Sequence, residues 1–327
     1  MAEKIEGTSA AEKEKVLSAA DSTAENPSGG KEEEDGKKPM ILADNLVKIY
    51  KTSELEVLAL QGLDLTVEKG ELLAIIGNSG SGKSTFLNML GGLDTPSAGR
   101  LFVDGKNLFT LTERQLVEYK RDTVGFVWQN NARNLLPYLS ALENIMTPMQ
   151  FTTEKKKRER ALELLELVGM THKKASRLNQ LSGGEQQRIA IAIAIANSPK
   201  LLLADEPTGS VDRKTADYIV GVFRELNRQG QTIVIVTHDV TLSKQVQRVV
   251  AIRDGKFSSE RILKEHYSLN LAESTVNWQE EETQEEFAII DRAGRVQIPR
   301  QLLDEAGVEG NKLRMELKDG KIVLEKA

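Results

Sequence analysis

Short, largely apolar runs divide the middle of the chain. They lie at Leu72 to Ile76, Lys200 to Ala204 and Thr232 to Val236 and are continuous rather than alternating. Runs of this length that follow helical stretches are typical of parallel strands covered by helices on both faces. Further β-like runs come earlier, at Ile41 to Val47, Val57 to Ala59 and Leu63 to Val67. The pattern predicts an α/β fold.

Both ends of the chain differ from this middle part. Residues 1 to 39 carry six Lys against ten Asp and Glu and almost no large apolar side chains, which predicts a disordered acidic tail. A partner-binding role for this tail is the alternative. Residues 263 to 287 are polar and acidic, which predicts a linker or a loosely packed helix, and residues 288 to 327 form a last compact segment. The main α/β domain is therefore expected at 40 to 262.

Composition narrows the function classes. The chain has no Cys, so a disulfide framework and Cys-ligated zinc or iron–sulfur centres are excluded. Its net charge of −5 argues against a broad nucleic-acid-binding surface. The longest apolar stretch, Ile189 to Ala196, is far shorter than the roughly 20 residues that cross a bilayer. We therefore expect a cytoplasmic protein without a membrane span.

The most specific motif is a glycine-rich loop between an apolar run and a helix that begins near Lys83. It matches the phosphate-loop pattern in the strand-to-helix context that this pattern requires: Gly77-Asn78-Ser79-Gly80-Ser81-Gly82-Lys83-Ser84. Glycines let successive N–H groups point at phosphate oxygens, and the helix N-terminus adds about half a positive charge there. Lys83 can reach the β- and γ-phosphates, and the Ser84 hydroxyl can coordinate Mg²⁺.

Two carboxylates follow the apolar run at Lys200 to Ala204. Asp205 suits Mg²⁺, directly or through water, because the carboxyl end of a buried strand is where such sheets bind ligands. Glu206 could take a proton from an attacking water. Alone, the pair could equally be a helix N-cap. Together with the phosphate loop it indicates nucleotide hydrolysis.

The run Leu181-Ser182-Gly183-Gly184-Glu185 decides between classes of phosphate-loop enzyme. Ser182 and Glu185 form a capping box that would start a helix reaching Ala196. Capping does not require the two glycines, which cost roughly 1 kcal/mol each relative to Ala. They make sense if another group approaches closely, and a helix N-terminus with bare N–H groups is a second anion site. One chain has no second nucleotide to place there, so we expect the ATP bound at this site to come from another subunit.

On these motifs, residues 40 to 262 resemble the ATPase subunit of an ATP-binding cassette (ABC) transporter, with Leu181 to Glu185 as the family signature. The resemblance implies a phosphate-loop NTPase fold of the ABC type, with a mostly parallel sheet, an antiparallel β subdomain and a helical subdomain. It implies ATP and Mg²⁺, and a head-to-tail homodimer with each ATP between the phosphate loop of one subunit and the signature of the other. It also implies a separately encoded transmembrane permease that holds the protein at the inner face of the cell membrane.

The resemblance assigns further residues. Gln129 falls where the family has the glutamine that senses Mg²⁺ and water and contacts the membrane partner, and His238 matches the histidine that holds the γ-phosphate. Asp212 matches the loop that communicates across the dimer. Tyr50 falls where an aromatic ring stacks on adenine, with strand packing as its alternative. The implied catalytic residues are then Lys83, Gln129, Glu206 and His238, the metal-binding ones are Ser84, Gln129 and Asp205, and nucleotide contacts come from Tyr50, Gly77 to Thr85, Ser182 to Gly184 and Asp212.

Two positions depart from the family pattern. Ile193 stands where an arginine is common after the signature, and Trp128 stands where phenylalanine usually precedes the glutamine. The runs 91–99 and 204–209 are most similar to the subgroup of macrolide exporters and lipoprotein-releasing complexes. The alternative is an ABC ATPase without a transporter, as in DNA repair, chromosome organisation or translation. Those proteins usually carry coiled-coil insertions, zinc modules or two cassettes, and the sequence has none of these.

The C-terminal segment, 288 to 327, predicts a strand, a turn, a strand, a short helix and a hairpin. It resembles the AbrB-like swapped-hairpin family, notably in Asp291-Arg292-Ala293-Gly294-Arg295 and Ile298-Pro299. The resemblance implies that two chains interlock into a small β-rich domain, which commonly binds DNA. Arg292, Arg295 and Arg300 could serve DNA, but acidic residues nearly balance the basic ones. We favour dimerisation, since so small a unit cannot build much of a core alone.

Overall fold

The computed structural model describes residues 38–51, 55–129, 135–152, 155–264, 283–291, 293–298, 300–308, 310 and 312–326. The predicted acidic tail lies outside these ranges as far as Lys37, and so does most of the predicted linker. Of the C-terminal motif, Arg292 and Pro299 also lie outside them.

The described ranges contain both strands and helices. The strands are β1 (Ile41–Lys51), β2 (Glu56–Val67), β3 (Leu72–Ile76), β4 (Ala98–Val103), β5 (Lys106–Asn107), β6 (Val124–Val127), β7 (Leu201–Asp205), β8 (Thr232–Thr237), β9 (Arg248–Arg253), β10 (Lys256–Leu263), β11 (Gln284–Ala288), β12 (Leu313–Lys318) and β13 (Lys321–Lys326). The α-helices are α1 (Lys83–Leu90), α2 (Glu113–Asp122), α3 (Ala141–Met146), α4 (Lys157–Leu167), α5 (Gly183–Ala194), α6 (Arg213–Arg228), α7 (Val240–Ser243) and α8 (Arg300–Glu305).

The largest sheet has the order β11-β10-β9-β3-β8-β7-β6. It is parallel from β9 to β6 and antiparallel at the edge formed by β10 and β11. Leu72 and Ala74 of β3 pack into one core, whereas Leu73 and Ile75 pack into a second core on the other face. Both faces of the strand are therefore apolar, which explains the continuous runs in the sequence and confirms the predicted parallel strands.

A second, antiparallel sheet has the order β2-β1-β4-β5. The runs Val57 to Ala59 and Leu63 to Val67, predicted as separate, belong to one strand, β2. Its pairing with β1 shifts register beside Asn45, which has a positive φ of 47°. The ladder thus continues past Gly62, because a bulge absorbs the irregularity.

The helices α3, α4 and α5 bury apolar side chains in the core that also holds Leu202 and Ala204 of β7. The predicted capping box starts α5: Ser182 Oγ accepts the Glu185 N–H at 3.3 Å, and the Glu185 carboxylate accepts the Ser182 N–H at 2.8 Å. The helix ends at Ala194, two residues before the predicted end.

Residues 284 to 287 are not the predicted linker or helix. They belong to β11, which pairs antiparallel with β10 at the edge of the main sheet. Arg261 of β10 lies 3.4 Å from Glu286, and Ile289 packs against the core. The acidic composition concealed the strand, because Phe287 is its one large apolar side chain.

The C-terminal residues follow the predicted order only in part. Among the described residues, a single bridge between Ile290 and Val296 stands where the first pair of strands was expected, followed by α8 and the β12–β13 hairpin. The turn inside the bridge is fixed by Asp291, whose carboxylate accepts the N–H groups of Ala293 and Arg295 at 2.9 and 3.0 Å. These backbone bonds and the Arg295 guanidinium lower the pKa of Asp291 to about 2.

We expect Gly125 of β6 to set how closely α5 approaches the sheet. A Cβ at this position would lie 2.2 Å from the Ala194 carbonyl oxygen and 2.9 Å from the Pro199 ring. Gly125→Ala should therefore lower the free energy of unfolding by about 1–3 kcal/mol, the usual cost of overpacking. Urea unfolding without nucleotide measures this loss.

Gly221 in the interior of α6 supplies the matched control, because a Cβ there meets nothing within 4 Å. Gly221→Ala should raise the free energy of unfolding by about 0.5–1 kcal/mol, since Ala favours a helix more than Gly does. Equal unfolding midpoints for the two variants would contradict the close packing at Gly125.

Candidate functional site

A cleft of about 720 Å³ opens at the carboxyl ends of β3, β7 and β8. Its lining contains the predicted phosphate loop, Gly77 to Thr85, together with Tyr50, Gln129, Glu206 and His238. Val57, Leu58 and Ala59 of β2 complete it. Most of the residues predicted for the nucleotide therefore share one cleft, although they come from five separate parts of the sequence.

The phosphate loop wraps around the side chain of Lys83. This side chain is mostly buried, and its Nζ donates to the carbonyl oxygens of Gly77 at 2.7 Å and Asn78 at 2.9 Å. The loop ends at Gly82, whose φ of 103° strongly favours glycine and which leaves α1 without a side-chain cap. The first N–H groups of α1 and the Lys83 ammonium together form a site suited to an anion.

Asp205 and Ser84 lie beside this loop. The Ser84 hydroxyl donates to the Asp205 carboxylate at 3.2 Å. Burial raises the pKa of the Asp205 carboxyl, while the bond from Ser84 and the charge of Lys83 act in the opposite direction. Among the described residues no group of three or more His, Cys, Asp or Glu side chains could hold a metal ion. One carboxylate and one hydroxyl fit Mg²⁺, which takes few protein oxygens when phosphates supply others.

Glu206 is held in a strained backbone conformation at the end of β7. Its φ is 48°, and its N–H donates to the Val236 carbonyl oxygen at 2.8 Å. The carboxylate accepts hydrogen bonds from the Thr237 hydroxyl at 3.2 Å and from the backbone N–H of His238 at 3.3 Å. It also lies 2.9 Å from Nδ1 of the His238 imidazole. The Glu206 side chain is 10% exposed, whereas that of His238 is 71% exposed. The carboxylate is thus fixed while the imidazole reaches solvent.

Tyr50 lines the same cleft and is held by Asp94, a residue without a role in the sequence-based predictions. Its hydroxyl donates to Asp94 at 2.6 Å, and the Lys48 Nζ lies 4.7 Å from the ring centroid and 2.5 Å from the same carboxylate. Burial, followed by the bond to Asp94, raises the pKa of Tyr50. The ring edge is thereby fixed, and part of the ring stays exposed.

The signature residues and Asp212 lie outside the lining of this cleft. Ser182 caps α5, with Gly183 and Gly184 in the first helical turn. Asp212 caps α6, and its carboxylate accepts the Thr215 N–H at 3.1 Å and the Thr215 hydroxyl at 2.7 Å. Within the chain, Gly184 lies close to Thr215, and the approach of ATP from another subunit stays a prediction.

Three functional neighbours were missed by the sequence analysis. Asp94 lies in the run 91–99, which bears only on the subgroup, and Thr237 is the residue directly before His238. Thr215 follows Asp212 by three residues, the spacing at which an N-cap accepts a hydrogen bond. That spacing is a usable signal, whereas the contact of Asp94 with Tyr50 joins positions 44 residues apart.

The described part of the chain has no helix that is both long enough and apolar enough to cross a membrane.

Comparison with known proteins identifies relatives of this arrangement. A family model described as ABC transporter matches residues 60 to 209. An uncharacterized ABC transporter ATP-binding protein of Thermotoga maritima is 46% identical over 222 residues, which make up 67% of this chain and 94% of that relative. The ABC transporter ATP-binding protein MJ0796 of Methanocaldococcus jannaschii is 41% identical over 232 residues, or 69% of this chain and 98% of the relative.

A solved structure extends the likeness to the fold. The dimeric post-hydrolysis state of the MJ0796 cassette, bound to ADP and Pi, aligns with a TM-score of 0.64 at 39% identity and covers 69% of this chain and 99% of that one. The family match includes the phosphate loop, Asp205 and Glu206, because residues 60 to 209 span them all. The chain belongs to the ABC transporter ATP-binding proteins and is an ATP-hydrolysing enzyme of that family.

Proposed function

We propose that the protein drives a separately encoded membrane permease by closing and opening a head-to-tail homodimer around ATP. One observation carries this proposal: the cleft contains only one part of the predicted site, while Ser182, Gly184 and Asp212 lie at two other helix N-termini. A second subunit would bring those residues to the ATP. The dimeric state of the MJ0796 cassette supports the same arrangement.

In this proposal the cleft orients ATP before hydrolysis. Tyr50 stacks on adenine, and the N–H groups from Gly77 to Thr85 and the Lys83 ammonium bind the phosphates. Ser84, Asp205 and Gln129 would hold Mg²⁺, which would supply positive charge beside the phosphates.

Glu206 then acts as the general base. It accepts a proton from water as the water oxygen bonds to the γ-phosphorus and the bond to the β-phosphate oxygen breaks. Thr237 and the His238 N–H hold its carboxylate in place. The exposed His238 side chain would contact the γ-phosphate, and Gln129 would sense Mg²⁺ and water.

The permease would contact a groove of about 500 Å³ that is lined by residues of β6, α2 and α5. Phe151 and Val117 are exposed apolar residues of its lining, and Lys120 adds positive charge, whereas the Arg121 guanidinium is paired with Asp122 at 2.6 Å. Both departures from the family pattern meet here, since Ile193 lines the groove and the Trp128 ring lies 4.2 Å from that of Phe126, another lining residue. The groove therefore suits an apolar helix that carries an acidic side chain beside Lys120.

In this proposal the protein works in the cytoplasm, on the inner face of the membrane. Residues 91–99 and 204–209 resemble those of macrolide exporters and lipoprotein-releasing complexes. This resemblance supports a mechanism in which the ATPase transmits motion to its membrane partner.

We further propose that the C-terminal segment, 288 to 327, is an AbrB-like dimerisation domain. On one face of the β12–β13 hairpin Leu317 pairs with Ile322 and Met315 with Leu324, and the first three of these are at least 70% exposed. A second copy would cover this apolar face. DNA binding is less well supported, because the Arg295 guanidinium is paired with Asp291 at 2.7 Å.

Replacement of Glu206 tests the chemistry. Glu206→Gln keeps the shape of the side chain and loses the base, so ATP binding should persist while turnover falls by at least about a hundredfold. Dimers should accumulate with ATP. Phosphate release by the purified variant measures turnover, and a rate close to that of the parent would show that Glu206 is not the base.

Mixed dimers test the composite site. Lys83→Ala removes the phosphate-binding ammonium, and Gly184→Asp places a carboxylate in the signature, so each variant alone should be inactive. Combined, they should regain hydrolysis, since one site of a mixed dimer has an intact phosphate loop and an intact signature. Absence of any recovery with both variants folded would contradict the composite site.

The apolar face of the hairpin can be tested in the full chain. Leu317→Gln with Ile322→Gln should make the protein monomeric without nucleotide, because the buried area would become polar. Lys321→Gln, on the opposite face, is the control and should stay dimeric. Sedimentation measures the mass; a double variant that remains dimeric would contradict dimerisation through this face, and salt-sensitive DNA binding would favour the regulatory alternative.

A further inference from the structure

The signature turn and the Asp212 turn are in contact within one chain. A Cβ on Gly184 would lie 2.6 Å from Thr215 Cγ2, 3.2 Å from its Oγ1 and 3.4 Å from its Cβ. Gly184 belongs to the first turn of α5, and Thr215 belongs to the first turn of α6. The absence of a side chain at Gly184 is thus required by a neighbour in its own subunit.

Thr215 uses its two branches on different partners. Its methyl group occupies the space beside Gly184, and its hydroxyl donates to the Asp212 carboxylate at 2.7 Å. That bond, followed by the bond from the Thr215 N–H, lowers the pKa of Asp212. One side chain therefore touches both turns that the proposed dimer would present to its partner.

A second contact joins the same helices about one turn further on. The Arg188 guanidinium of α5 lies 5.1 Å from the ring centroid of Tyr218 of α6. Arg188 also donates to the Val168 carbonyl oxygen at 3.4 Å, and a Cβ on Gly169 would lie 2.5 Å from the Tyr218 hydroxyl. The two helices are therefore held together in two layers, with Thr215 in the layer nearest the signature.

We propose that Thr215 is a positioning residue that fixes the signature turn to the Asp212 turn, so that both reach the ATP of the partner subunit together. The inference rests on the proposed composite site. Its methyl group sets the distance between the turns, and its hydroxyl sets the orientation of the Asp212 carboxylate. Thr215 lies outside the lining of the cleft, so it acts on turnover and not on the affinity of a subunit for its own ATP.

The methyl contact is tested by rescue in the full-length chain. Gly184→Ala should lower kcat at least about tenfold, because the new Cβ forces the two turns apart. Thr215→Ser removes Cγ2 and keeps the hydroxyl. In the double variant Gly184→Ala with Thr215→Ser, kcat should return to within about threefold of the Thr215→Ser value, while the affinity of a single subunit for its own ATP stays at the parent value in all three variants.

Failure of the rescue overturns this half of the proposal. If the double variant is as slow as Gly184→Ala, the glycine serves the phosphate of the partner and not Thr215; a parent-like kcat for Gly184→Ala alone overturns it too. The mixture of Lys83→Ala and Gly184→Asp chains, assayed alongside, separates the two levels. Recovered hydrolysis in that mixture together with a failed rescue would leave the composite site intact and remove only the role of Thr215.

The hydroxyl is tested by Thr215→Val, which keeps the branched shape and loses the donor to Asp212. It should lower kcat about tenfold with unchanged ATP affinity, whereas Thr215→Ser should stay within about threefold of the parent. A merely structural role would lower the unfolding midpoint of Thr215→Val in step with kcat. Parent-like turnover of Thr215→Val, or a loss that follows stability alone, would overturn the proposal.

Discussion

Burial of β3, β7 and β8 on both faces is the constraint on which the cassette depends. Successive side chains of such a strand enter two different cores, as Leu72 and Leu73 of β3 do. Polar catalytic side chains can therefore lie only at the ends of these strands. Because these three strands are parallel neighbours, their carboxyl ends meet at one edge of the sheet. At this edge the phosphate loop follows β3, Glu206 follows β7 and His238 follows β8.

The same constraint explains why the cleft holds so much charge close together. Lys83 is mostly buried and satisfied by loop carbonyl oxygens, and the buried Asp205 accepts from Ser84. Glu206 occupies a backbone conformation that a non-glycine residue rarely adopts, at φ 48°, and hydrogen bonds from β8 and His238 hold it there. The surrounding sheet over-determines these positions, so the groups are preorganised for phosphate chemistry.

Much of this could be predicted from the sequence, because the deciding signals are local. The strand runs, the phosphate loop and the capping box at Ser182 each lie within about ten residues. The strand β11 was missed because an edge strand that faces solvent needs few apolar side chains, and its acidic residues suggested a linker. The contacts of Asp94 with Tyr50 and of Thr215 with Gly184 were missed because they join segments that only the folded chain brings together.

The central claim is that each ATP lies between the cleft of one subunit and the signature of another. An ATP analogue with a photoreactive group on the γ-phosphate tests it directly, when isotope-labelled parent chains are mixed with unlabelled Lys83→Ala chains. The photoreactive analogue should attach to the peptide that contains Ser182 to Glu185 of the Lys83→Ala chains, because their own phosphate loop cannot hold the analogue. Attachment to that peptide only in parent chains would mean that each signature meets the ATP of its own subunit, and it would contradict the composite site.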